Sequence, residues 1–215
     1  MKEEIRYLSL CGMLGYGYAP ESLENAFAGK LDFIGVDAGS TDPGPYYLGS
    51  GNGFVKPLQV KRDLSLVLKR ALEQKIPFII GSAGGSGAKP HVERTLEILR
   101  EIAEEQKLHF KAAVIYSDLD QEVLRRAASE QRIHPCGGSP EFDPAVIGSL
   151  RNPVAQFGTE PVIASDGCGC DPCRTLLRHR GFRILPDHAR IPGRIVPACR
   201  QDCGMRRVVR ASRRG

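Results

Sequence analysis

The sequence predicts a layered α/β fold: a mostly parallel sheet with flanking helices, Rossmann-like in its layering, and truncated. Three observations lead there. Short apolar runs alternate with amphipathic helical spacings, the pattern of βαβ units. The apolar runs are continuous, as expected of parallel strands covered on both faces. Four of the runs end in unusual loops, three of them rich in glycine. No segment repeats at a fixed period, which argues against a solenoid.

The elements follow in order. Ile5–Leu10 is a short apolar strand, ended by CGMLGYGYAP. APESLENAFAG has helical spacing, with Leu23, Ala26 and Phe27 on one face. Asp32–Val36 is a second strand. It runs into DAGSTDPGPYYLGSGNG, a tract of glycine, proline, serine and acid expected to form neither helix nor strand. Pro57–Gln74 is a long amphipathic helix in which Val60, Leu64, Val67, Leu68 and Ala71 share a face. Pro77–Ile80 is a third strand, closed by GSAGGSGAKP. Pro90 suits a first helical turn, and His91–Gln106 continues as a helix that buries Leu96, Leu99 and Ile102. Phe110–Tyr116 is a fourth strand closed by SDLD, Gln121–Ser129 a further helix, and Pro161–Ala164 the start of a fifth strand.

A chain of 215 residues holds one domain or a domain and a half. No apolar run approaches the length of a membrane span. The start, MKEEIRYLSLCG, lacks the apolar core of a secretory signal. A cytoplasmic protein with no membrane partner is the expectation. The net charge of +5 hints at nucleic acid, but the charge is unevenly placed. Residues 165–215 hold twelve Arg, no Lys, four Asp and no Glu, so residues 1–164 are net acidic. Five of the seven cysteines also lie at or after Cys168. Two unlike segments, 1–164 and 165–215, are therefore read separately.

In a parallel sheet all strands point their carboxyl ends at one edge, and ligands bind in the crevice there. Glycine lets a ligand approach the backbone, and helix N-termini attract anions. The expected ligand is a small anionic molecule, with Gly12, Gly15, Gly39, Ser40, Thr41, Asp42, Gly84, Gly85, Ser86, Gly87 and Asp118 around it. Asp37, Ser82 and His91 are the candidate polar actors: Asp37 ends an apolar strand, Ser82 sits at a strand end, and His91 starts a helix beside the glycine loop. The competing readings are structural. Asp37 could organise its loop, Ser82 and Ser86 could serve a tight turn, a lone histidine such as His91 at a helix start is more often structural, Asp42–Pro43 is a usual turn pair, and Asp118 or Asp120 could cap the next helix. GSAGGSGAKP is not a nucleotide phosphate loop, because Ala88 separates Gly87 from Lys89. G-x-G-x-x-G is absent, the G-x-S-x-G elbow is incomplete, and Asp37 with Asp118 has no metal-ligand spacing. No cofactor or metal is expected.

At DFIGVDAGSTDPGPYYLGSG and IPFIIGSAGGSGAKPHVERTLEILREIA the chain resembles the acyclic terpene utilisation family, the AtuA-type proteins. LSLCGMLGYGYAPES before them and QFGTEPVIA after them fit the same pattern in the same order, so the resemblance spans roughly Ile5 to Ala164. It implies a bacterial-type cytoplasmic protein of acyclic terpenoid catabolism, acting on branched acids or acyl thioesters. Its reaction would be hydration, lyase or hydrolysis chemistry. Family members are about twice this length, so residues 1–164 would be an incomplete AtuA-like domain. The rival readings are a non-catalytic ligand-binding or assembly subunit, for which an oligomer is one outcome, and a metal- or nucleic-acid-binding protein acting through the tail.

The tail has no convincing helical or strand period. Cys168, Cys170, Cys173, Cys199 and Cys203 do not form a standard knuckle, and twelve arginines could form a nucleic-acid arm. The reading favoured here is translation out of frame. Back-translating Asp166–Arg174 and reading one nucleotide later permits TGADVILAG, and Ile195–Val208 permits LSLHAGKIVECGA. Both resemble later family segments, in family order. The expectation is a disordered tail on a fragment that is inactive by itself. Resequencing the gene across codon 165 should restore L-H-x-G-K-x-x-E-C-G-A in frame; a frame that stands as given would overturn this reading of the tail.

Overall fold

A computed structural model describes residues 4–39, 44–156, 158 and 161–162, together with the backbone of 207–210. Its centre is a three-stranded parallel sheet in the order β1 (Tyr7–Ser9), β2 (Phe33–Asp37), β3 (Phe78–Gly81). The register sets Leu8 beside Ile34, Ile34 beside Phe78, and Asp37 beside Gly81. Helix α1 (Pro20–Phe27) connects β1 to β2, and α3 (Pro57–Glu73) leads into β3. Both connections lie over the same face of the sheet, where α1 and α3 touch and share one core. Helix α4 (Lys89–Gln106) follows β3 and packs on α3. Proline stands in the first turn of α1, α3 and α4, where its missing N–H is not needed.

Ile34 and Val36 of β2 pack with Leu23 and Phe27 of α1, Leu64, Val67 and Leu68 of α3, and Leu96, Leu99 and Ile102 of α4 in one core. Side chains alternate along a strand, so Tyr7, Phe33, Gly35 and Ile79 point to the other face. That face is much less covered: Tyr7 is 65% exposed and stacks on Phe33, with ring centroids 5.3 Å apart. The continuous apolar runs led to an expectation of cover on both faces; among the described residues the layers lie mainly on one. The helices are tied at their edges. Lys61 Nζ reaches Glu101 and Glu105 at 2.9 and 2.6 Å, Arg70 pairs with Glu24, and Gln74 Nε2 donates to the Phe27 carbonyl at 3.1 Å.

The α/β layering is as the sequence predicts, with three corrections. The tract after β2 contains a short helix, α2 (Tyr46–Ser50), where neither helix nor strand was expected. Gly51 ends it in the left-handed region, at φ 75°. Asn152, 104 residues away, donates to the Leu48 carbonyl at 2.7 Å, a long-range bond invisible to local pattern. The fourth strand, β4 (Lys111–Val114), does not join the parallel sheet. It pairs antiparallel with β5 (Arg207–Arg210), while Val114 remains in the core. An apolar run announces an extended segment but not its partner. Pro161 and Val162 are helical rather than extended, in keeping with the fixed φ of proline in a first turn; Ile163 and Ala164 lie outside the described residues. Beyond β4 come α5 (Gln121–Ser129) and a 3-10 segment, Pro144–Ser149. No described helix is long and apolar enough to cross a membrane.

Candidate functional site

The carboxyl ends of β1, β2 and β3 share one edge, and backbone hydrogen bonds continue past the strands to bind their loops together. The Leu14 amide donates to the Asp37 carbonyl at 2.7 Å, and the Ala38 amide to the Gly81 carbonyl at 2.9 Å. Asp37 is exposed at this edge, and its Oδ1 accepts the Gly39 amide at 3.0 Å. The carboxylate thus organises its own loop, an Asx turn. Gly39 lies tight against the glycine loop: a Cβ there would stand 2.5 Å from the Gly85 carbonyl oxygen and 2.6 Å from Ser82 Cβ. Ser82, also exposed, holds a left-handed backbone at φ 48° and ψ 40°. That conformation is uncommon for a residue with a side chain, and such strain concentrates at functional sites. Asp37 and Ser82 therefore meet at one edge. Ser40, Thr41 and Asp42 lie outside the described residues.

The glycine loop after β3 folds as a 3-10 turn, Ala83–Gly85. Three of its amides close the turn itself: Gly85 donates to Ser82, and Ser86 and Gly87 to Ala83. Those amides are engaged within the loop rather than turned outward. Gly84 has φ 72°, and a Cβ there would collide with the His91 backbone. His91 is fully buried at the start of α4. Its Nδ1 lies 2.6 Å from Ser86 Oγ and its Nε2 2.9 Å from the Asn52 carbonyl oxygen. A carbonyl only accepts, so Nε2 carries the proton; in the neutral ring Nδ1 then accepts from the Ser86 hydroxyl. His91 is away from Asp37 and Ser82 in its bonding, and joined instead to Ser86.

The first loop is organised by Asp63, a residue the sequence reading did not single out. Its carboxylate is 1% exposed. Oδ2 accepts the amides of Gly15 and Gly17 at 2.9 and 3.1 Å, and Oδ1 accepts Arg62 Nη1 at 2.8 Å. Gly15 and Gly17 both have positive φ, at 98° and 86°. The Tyr18 hydroxyl donates to the Asp63 carbonyl at 2.5 Å, and Arg62 Nη2 to the Tyr18 carbonyl at 3.1 Å. Burial, then the Asp63 charge, push the Tyr18 phenol up in pKa. The same two causes, in the same order, raise the Cys11 thiol, which donates to the Met13 carbonyl. An open depression of about 390 Å³ lies here, lined by Tyr16, Tyr18, Gln59 and Arg62. The signal for Asp63 was present in the sequence. It lies three residues after Val60 and four before Val67, an acid set in the apolar stripe of a helix. Gly12 begins this loop, exposed and with open space where a Cβ would stand.

Asp118 caps α4 rather than the helix that follows it. Its two oxygens lie 3.1 and 2.9 Å from the Lys89 amide. Asp120 caps α5, accepting the Glu122 amide at 2.8 Å. The N-terminus of α4 thus already faces an internal anion. The segment carrying it pairs with the chain near Val154, through the Leu119 amide to Pro153 and the Ala155 amide to Ser117. The described residues contain no group of three or more His, Cys, Asp or Glu placed to hold a metal.

No family model, curated protein or solved structure matches the chain. The functional reading therefore rests on the residues themselves.

Two substitutions test this geometry. Asp63→Ala strands the Gly15 and Gly17 amides, and chemical denaturation should read a loss of about 2–4 kcal/mol; an unchanged midpoint would show that Asp63 does not hold the loop. Ser82→Gly removes the left-handed penalty, and the same measurement should read a gain of about 1 kcal/mol. A loss there would mean that the serine side chain contributes more than its backbone costs.

Proposed function

We propose that the carboxyl edge of the β1–β2–β3 sheet binds a small anionic molecule, and that the chain is an AtuA-like protein of acyclic terpenoid or branched-acid catabolism. The ligand class is a branched carboxylate or its acyl thioester. The observation that carries the reading is the convergence of three strand-end loops at one edge, with Gly39 and Ser82 in close approach and Ser82 held in a left-handed conformation. Convergence at the carboxyl ends of parallel strands is where α/β proteins place their ligands.

Charge decides where on that edge the anionic group goes. The exposed Asp37 carboxylate would repel a second anion set against it. The Gly81–Lys89 side offers the exposed Ser82 hydroxyl and the exposed Lys89 ammonium. Asp118 also lies on that side, against the Lys89 amide, so the anionic group is assigned to the Lys89 ammonium and the Ser82 hydroxyl, set away from both carboxylates, and the branched chain to the remainder of the edge. The residues quoted for the AtuA resemblance include β2, β3 and both of their loops, which is why the two readings are proposed together.

Isothermal titration of the chain with citronellate and with a branched acyl-coenzyme A tests the proposal. Saturable binding is expected, weakened about tenfold, or about 1.4 kcal/mol, by Gly39→Ala or Lys89→Ala. Equal binding by both variants would place the ligand elsewhere, and no binding to a folded chain would remove the reading.

A further inference from the structure

We propose that Ser86 is the nucleophile of an acyl-transfer site, that His91 is its general base, and that the backbone carbonyl of Asn52 fixes the base in its reactive tautomer. This deepens the reading above: it rests on the carboxyl edge as a site for acyl compounds and adds the reaction. The geometry is that of an activated nucleophile. Ser86 Oγ lies 2.6 Å from His91 Nδ1, within the range expected of a nucleophile and its base. The base is oriented by a third group on its far side, Asn52 O at 2.9 Å from Nε2. That bond keeps the proton on Nε2 and leaves the Nδ1 lone pair toward the serine. It persists when Nδ1 gains a proton, so the ring need not turn during reaction.

Access separates the two members. His91 is fully enclosed, while Ser86 is half-buried in the glycine loop. The ring is enclosed, so in this proposal a leaving group or water meets Nδ1 only from the Ser86 side, where the substrate also reaches the nucleophile. Ser82 contrasts with it: exposed and strained, yet with no ring nitrogen bonded to its hydroxyl among the described residues. A purely structural account of Ser86 is that it ties the glycine loop to α4. It explains the hydrogen bond but predicts no chemistry at the hydroxyl.

The step balances with water as the only co-reactant. Ser86 Oγ attacks the thioester carbon as its proton passes to His91 Nδ1. The carbon–sulfur bond breaks, the leaving thiolate takes that proton, and the acyl group remains on Ser86 as an ester. Water then attacks the ester carbon, giving a proton to Nδ1. The serine oxygen leaves and recovers it, and the products are a carboxylic acid and a thiol. The serine, the histidine and the orienting carbonyl all lie within the described residues.

The test is active-site labelling of the full 215-residue chain with a fluorophosphonate, read by intact mass and peptide mapping. Phosphonylation transfers the probe to a serine oxygen with loss of hydrogen fluoride. One adduct on Ser86 is expected, absent in Ser86→Ala, unchanged in Ser129→Ala on the exposed face of α5, and slowed at least about a hundredfold in His91→Gln. A cooperative thermal transition by circular dichroism establishes that each chain is folded. An adduct on another residue, or none on a folded parent chain, overturns the proposal. Ser86→Ala and Ser129→Ala remain a sufficient pair if His91→Gln does not fold, since with peptide mapping they locate the adduct. The two readings fail separately. Acyl-coenzyme A binding without an adduct removes the nucleophile and keeps the site. An adduct on Ser86 without acyl binding keeps the nucleophile and removes the assigned ligand.

Discussion

One enclosed imidazole joins two of the loops on which any function here must depend. His91 receives the glycine loop through Ser86 and grips the tract after β2 through the Asn52 carbonyl, while its own carbonyl accepts the Thr95 hydroxyl at 3.0 Å. A buried ring with an unmet nitrogen would cost a desolvation penalty of about 1–3 kcal/mol, so both partners must stay in place for the core around α4 to close. That requirement fixes two glycines as well. Gly84 must lack a side chain because the His91 backbone lies against it, and Gly39 because Ser82 does. The glycine-rich character of this edge follows at these positions from close packing between loops, and only the space that remains is left for a ligand.

Internal carboxylates do much of the organising. Asp63 holds the loop after β1, Asp37 its own turn, and Asp118 the N-terminus of α4. Asp63 gathers two amides, those of Gly15 and Gly17, whereas Asp37 and Asp118 each hold one, that of Gly39 and of Lys89; the last stands at a helix N-terminus, a place that favours an anion. Asp63 differs from the others in being buried, which makes its hydrogen bonds structural in a way that those of exposed Asp37 are not.

The fold was legible where pattern is local. Val60, Leu64, Val67 and Leu68 marked α3, and the apolar runs marked β1 to β3, because periodicity and burial coincide there. It failed where a distant partner decides. Asn152 capping α2 and Arg207–Arg210 pairing with β4 each join segments far apart in the chain. Within the site, Asp37 and Ser82 could be placed at the sheet edge because strand ends are readable. The Ser86–His91 pairing could not, since a five-residue separation across a turn and a helix start has no fixed geometry until the turn is known. Asp63 was only partly readable: it stands at helical spacing from Val60 and Val67, but Lys61 stands at the same kind of spacing from Leu64 and Leu68, so pattern alone did not single it out.

The uneven covering of the sheet also shapes how the molecule responds to temperature. With helices gathered over Ile34 and Val36 while Tyr7 stands largely in water, unfolding wets less new hydrocarbon per residue than it would in a sheet sandwiched on both sides. The heat-capacity increment of unfolding scales with that newly wetted apolar area. Among the described residues, the sheet therefore contributes less to that increment than one covered on both faces, and flattens the temperature dependence of stability to that extent.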